Sequence, residues 1–83
     1  MTEPEHRLFN DYDKNNKKLL VAEFYMPNVI DINEISVENN DDRLIVESQK
    51  YGYSFDGFLP HKVDDKKTIA EYDNDRMVKR TGY

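Results

Sequence analysis

The sequence predicts an all-β fold, an antiparallel β-sandwich of six to seven short strands, and three observations carry that prediction. Apolar residues recur at every second position in short runs. Clusters of turn-forming residues break the chain roughly every 8 to 12 residues. No amphipathic stretch long enough to be a crossover helix lies between the runs, which disfavours a parallel α/β sheet.

The breaks fall at Asp13-Lys14-Asn15-Asn16, Pro27-Asn28, Asn39-Asn40-Asp41-Asp42, Gly52, Pro60 and Asp73-Asn74-Asp75. Asn and Asp serve there because they accept left-handed backbone and form side-chain turns. Between the breaks, Leu20, Ala22 and Phe24 share one face of a first strand, Ile35 and Val37 mark a second, and Leu44 and Val46 bracket Ile45 in a third. Tyr53, Phe55, Gly57 and Leu59 alternate with Ser54, Asp56 and Phe58, and Ile69 and Glu71 alternate with Ala70 and Tyr72. Residues 31–34 have room for one short helical turn. Leu59-Pro60 reads as a strand stop, since proline cannot donate to a ladder.

The 83 residues, of which 37% are hydrophobic, make one domain with a thin core and no deep catalytic cleft. Residues 1–7 are expected to be flexible and residues 79–83 frayed. Seventeen acidic residues against twelve basic give a net charge of −5, so a general nucleic-acid binder is disfavoured. Cysteine is absent, which removes disulfides, thiolate metal sites and a cysteine nucleophile. No stretch reaches the roughly 18 apolar residues of a spanning helix, and residues 1–9 are too polar for a secretory signal, so a soluble cytoplasmic protein is expected.

The acidic run through Asp11, Asp13, Asn15 and Glu23 resembles a calcium-binding EF-hand loop, and counting decides against it. From Asp13, Lys17 and Lys18 fall where a ligand and the turn glycine belong; from Asp11, Asn16 replaces the glycine and Ala22 the bidentate Glu. A polar hairpin turn is the better reading. His6 and His61 lack a histidine partner at zinc spacing, and the serines and threonines sit in no nucleophile context. Asp41-Asp42 and Asp64-Asp65 read as solvated turns. Arg76, Lys79 and Arg80 form a basic terminus that reads as solvated rather than as a contact for an acidic tail or RNA. No catalytic, cofactor-binding or metal-binding residue is expected, and the protein is not expected to be an enzyme. Edge strands remain as the functional surface, because their unpaired backbone groups can accept an extended chain.

From Tyr25 onward the order of features resembles the α-crystallin domain of the small heat-shock protein family. The residues that carry the resemblance are Glu23-Phe24-Tyr25-Met26-Pro27-Asn28-Val29, Glu34-Ile35-Ser36-Val37-Glu38 and Asp42-Arg43-Leu44-Ile45-Val46-Glu47-Ser48. Phe55-Asp56-Gly57-Phe58-Leu59-Pro60, Val63-Asp64 and Ile69-Ala70-Glu71-Tyr72-Asp73-Asn74 continue it in register. The resemblance implies a seven-strand, two-sheet immunoglobulin-like sandwich. Asn28 stands in place of the family's glycine, and Asp75-Arg76-Met77 in place of Gly-Val-Leu, so a short or irregular final strand is expected. Only Gln49, Lys50, Tyr51 and Gly52 separate two strands where family members carry a dimer-exchange loop. No exchanged dimer is expected, and without an I-x-I tail or a sizeable N-terminal arm, no cage. The short loop matches the related CS-type co-chaperone domains.

The resemblance implies an ATP-independent stress-response holdase that binds unfolded or partly folded client proteins at sheet edges, with a larger chaperone as a further partner. Its peptide-binding groove would lie between the strand of Ile35 and Val37 and that of Ile69, Ala70 and Tyr72. The alternatives are a monomeric CS-type adaptor that docks a folded partner and, last, a calcium-binding loop protein. No cofactor, nucleic acid or membrane is expected as a partner, and the state in solution is expected to be monomer or small oligomer.

Overall fold

Tight hairpins build most of the architecture. The computed structural model describes residues 1–64 and 66–83, and within them the chain forms β1 (Glu5–Tyr12), β2 (Lys18–Tyr25), a 3-10 turn (Ile32–Glu34), β3 (Ser36–Asn39), β4 (Arg43–Ser48), β5 (Tyr53–Phe58), β6 (Thr68–Asp73) and β7 (Arg76–Gly82). A four-stranded sheet in the order β1-β2-β7-β6 faces a three-stranded sheet in the order β3-β4-β5. Neighbouring strands run antiparallel throughout, which is the predicted immunoglobulin-like sandwich.

The turns use the expected chemistry. The Asp13 carboxylate accepts from Asn15 N (2.8 Å) and Lys17 N (2.9 Å), which fixes the β1–β2 turn and leaves Asn16 at φ 60°. Asn28 adopts φ 76°, imitating the glycine it replaces. Asp31 caps the 3-10 turn by accepting from Asn33 N at 2.9 Å. Asn74 (φ 54°) and Asp75 (φ 67°) form a two-residue hairpin loop with both central residues left-handed, the arrangement whose twist matches its flanking strands. Asp65, half of the Asp64-Asp65 pair, lies outside the described residues.

Two parts of the structure depart from expectation, both at the ends. Residues 5–12 form an eight-residue strand, and residues 76–82 form β7, which is neither short nor frayed but sits between β2 and β6. Polar side chains hide the alternation of β7. Met77, Lys79 and Thr81 face inward and are all buried, while Val78 and Arg80 face outward. Lys79 Nζ donates to Thr81 Oγ1 (2.8 Å), which in turn lies 3.1 Å from Thr68 Oγ1. This alternation also divides the supposed basic terminus, since Lys79 points inward while Arg80 points out to Glu71 (3.5 Å).

The core comprises Ala22, Phe24, Met26, Val29, Ile35, Leu44, Val46, Phe55 and Met77. Phe24 from one sheet meets Phe55 from the other edge-on, with ring centroids 5.0 Å apart at 61°. Phe55 folds back along its own strand, so a Cβ at Gly57 would lie 2.8 Å from the end of its ring. Gly57→Ala is therefore expected to push the Phe55 ring off Phe24 and to lower unfolding free energy by about 1 to 3 kcal/mol in urea titrations. The Ser48 hydroxyl is buried with no hydrogen-bond partner among the described residues. Ser48→Ala removes that unsatisfied group and is expected to stabilise the fold by about 1 kcal/mol in the same titration.

Candidate functional site

Four strands lie at sheet edges, and the two sides of the sandwich treat them differently. On one side the N-terminal residues cross from β1 to β5: Thr2 N donates to Gly52 O (2.7 Å) and Ser54 N donates to Thr2 O (3.0 Å). On the other side lie the two remaining edges, β3 of one sheet and β6 of the other, which do not pair with each other.

Ladder phase shows which backbone groups line this second seam. Gly82 N donates to Lys67 O (2.8 Å), so alternation turns the backbone groups of Thr68, Ala70 and Tyr72 away from β7. Asn40 N donates to Arg43 O (3.1 Å), which likewise turns those of Val37 and Asn39 away from β4. Two open strand edges therefore flank one seam. Ala70 sits opposite the buried Lys79, in an inward-facing register, yet is exposed. An inward-facing side chain reaches solvent only where nothing from the opposite sheet covers it, so the inner face of β6 is uncovered at Ala70.

Of the expected groove residues, three lie in or against the core and two, Ile69 and Ala70, are exposed. Ile35 is buried in the core and Val37 is half-buried against it. Tyr72 is half-buried, and its hydroxyl donates to Met26 O at 2.7 Å, which makes the ring a fixed wall. Burial, with Asp75 nearby, raises the Tyr72 hydroxyl above its usual range, so it remains a donor at neutral pH. Ile69 pairs with Arg80 on the opposite face of β6 and is 62% exposed there, so it does not line the groove. A strand's period of two forces this: Ile69 cannot share a face with Ala70. Sequence reading missed Thr68, Asn39 and the Lys79–Thr81 hydrogen bond behind Ala70; the alternation of residues 77–81 was their one available signal.

Ion pairs fix the surroundings. Lys50 lies 2.7 Å from Glu34 and holds its carboxyl below the usual range, and Tyr51 also donates to Glu34 (3.1 Å). A shallow cleft of about 460 Å³ at Glu5, His6, Arg7, Glu23, Tyr25 and Arg76 lies away from the seam. Its Arg7 is taken by Glu23 at 2.6 Å, the hydrogen bond that chiefly lowers the Glu23 carboxyl. His6 packs 4.6 Å from Phe55, and His61 lies 6.1 Å from Tyr83. Among the described residues no group of three or more His, Asp or Glu could hold a metal ion, and no helix is long and apolar enough to cross a membrane.

Strand edges open to solvent, and an Asp13 carboxylate taken up by its own turn, fit an interaction module better than a calcium loop. Comparison with known families agrees, since the PIH1 CS-like domain matches residues 4–79. The chain belongs to that family. This CS-like domain is also similar to PIH1 domain-containing protein 1 of Xenopus laevis, 25% identical over 75 residues. The match covers 90% of this chain and 25% of the relative, so the chain spans about a quarter of that protein's length. Of the two related sandwiches in the sequence resemblance, the CS type is therefore supported and the small heat-shock assignment is not. CS-like domains of this family are protein-interaction, co-chaperone modules rather than enzymes.

The Tyr72–Met26 bond spans 46 residues of chain and holds one wall of the seam. Tyr72→Phe is expected to cost about 1 kcal/mol of stability. Amide exchange at Ile69 and Glu71, whose N–H groups face β7, should quicken more than at β2, and equal protection at both places would show that the bond does not hold the wall.

Proposed function

We propose that this CS-like domain is an adaptor, one interaction module of residues 1–83, which takes an extended partner segment along the seam between β3 and β6. The exposure of Ala70 in an inward-facing register carries the reading, because it marks where a partner side chain can enter while open backbone groups on both edges supply hydrogen bonds. Val37, Ala70 and Tyr72 line the entry, with Ile35 beneath them in the core. No bond is made or broken in this activity. Specificity comes from the fit of alternate side chains, and affinity from main-chain pairing.

The family match favours the adaptor over a holdase for unfolded clients. An adaptor needs one selective seam, whereas a holdase needs diffuse apolar surface. The apolar side chains most exposed on the strands, Phe58 and Ile69, lie on separate sheets. The partner is accordingly a chaperone or a chaperone-associated protein, and the setting is the cytoplasm.

Ala70→Arg fills the entry without touching the core. Nuclear magnetic resonance titration with extended apolar peptides is expected to shift amides of residues 36–39 and 68–72 in the parent, with affinity at least about tenfold lower in the variant. Shifts confined to the outer faces of the sheets would sink the seam reading. Full suppression of a heat-labile client's aggregation by both proteins would restore the holdase.

A further inference from the structure

The edge of β5 is guarded over only half its length. Leu59 N turns inward to Asp42 O (2.6 Å), and the alternation places the backbone groups of Gly52, Ser54, Asp56 and Phe58 outward. Thr2 takes Gly52 O and Ser54 N, a parallel pairing in an otherwise antiparallel domain. Two residues further on, Pro4 has no N–H to give to Ser54 O, so the pairing stops. Pro4 is buried, and its carbonyl accepts from His6 Nδ1 at 2.9 Å. The His6 ring in turn packs 4.6 Å from Phe55 and 5.7 Å from Phe24. Residues 1–4 thus form a strap moored to the core. Beyond it, the outward groups of Asp56 and Phe58 have no partner among the described residues, and Phe58 is 77% exposed.

We propose that residues 1–4 are a cis-acting guard on β5, and that when they lift, β5 pairs edge to edge with β5 of a second copy. Antiparallel pairing about a two-fold axis at Asp56 sets Ser54 opposite Phe58, reciprocally in the two copies. It requires the Ser54 N–H that Thr2 already holds, so strap and second copy compete for one donor. The exposed Phe58 ring gains cover in the pairing. Charge singles out this edge: Asp56 would meet its twin at the axis, but Arg43 neutralises each carboxylate through two bonds of 2.9 and 2.6 Å. On the other edges Asp11, Glu38 and Asp73 project carboxylates that have no ion pair among the described residues. A net charge of −5 on each copy opposes association over distance, and salt screens that repulsion. This edge lies across the sandwich from the seam, and the inference stands apart from the adaptor reading.

Light scattering across protein and salt concentration tests it on the full chain, on Thr2→Pro, which removes the N–H given to Gly52, and on a chain lacking residues 1–4. Each is repeated with Ser54→Pro, which deletes the contested donor at an edge position where proline is tolerated. The strap variants are expected to form dimers at about tenfold lower concentration than the parent. Added salt should strengthen that association, and Ser54→Pro should abolish it. Amide exchange at Ser54 should quicken in monomeric Thr2→Pro. A folded chain without residues 1–4 that stays monomeric at every concentration overturns the proposal, and so does a dimer that survives Ser54→Pro. Should the shortened chain fail to fold, Thr2→Pro decides alone: unchanged mass and unchanged Ser54 exchange count against the guard.

Discussion

The structure depends on one contact between its two sheets, the edge-on meeting of Phe24 and Phe55 at 5.0 Å. Phe24 is fully buried and Phe55 nearly so. Side chains of fixed shape then follow around the pair. Gly57 has no Cβ because the Phe55 ring occupies its place. His6 lies against both rings and holds the Pro4 carbonyl, which brings Thr2 to β5. A thin core tolerates little else at such a point, since interiors are close-packed and few neighbouring groups are available to absorb a change in volume.

A two-sheet sandwich has four edge strands, and their outward backbone groups are its exposed hydrogen-bonding capacity. The side nearest the aromatic contact is half closed by the N-terminal strap. On the opposite side Tyr72, pinned to Met26 O, shares the inner face of β6 with the exposed Ala70. The two sides thus differ in how far their edges are paired, and the difference arises from where proline, alanine and tyrosine fall in the strand register.

Polar residues that invite chemical interpretation are consumed by structure. The Asp13 carboxylate that resembles a calcium ligand binds two backbone N–H groups of its own turn. Glu23, Glu34 and Asp56 are each held below the usual carboxylate range by a cation that hydrogen-bonds them, Arg7, Lys50 and Arg43 respectively. These carboxylates stay ionised at neutral pH. Membership of the PIH1 CS-like family agrees with a protein-interaction domain.

Local rules were enough to read the strands from Leu20 to Tyr72, the 3-10 turn and the left-handed turn residues, because alternation and turn chemistry depend on neighbours in sequence. The terminal strands were not legible. Inward positions of β1 and β7 carry His6, Lys79 and Thr81, and a polar side chain reveals an inward-facing position only when its partners, such as Phe55 for His6 or Thr68 for Thr81, come from distant parts of the chain. The candidate site shows the same division. The resemblance implied one groove for Ile35, Val37, Ile69, Ala70 and Tyr72, but tertiary structure put Ile69 on the other face of β6 and left Ala70 exposed. The sequence by itself determined the strands between Leu20 and Tyr72 and where they turn, since those choices are made over a few residues. Which edges stay open was decided only when the two sheets met, because exposure depends on the distance between elements that no local pattern encodes.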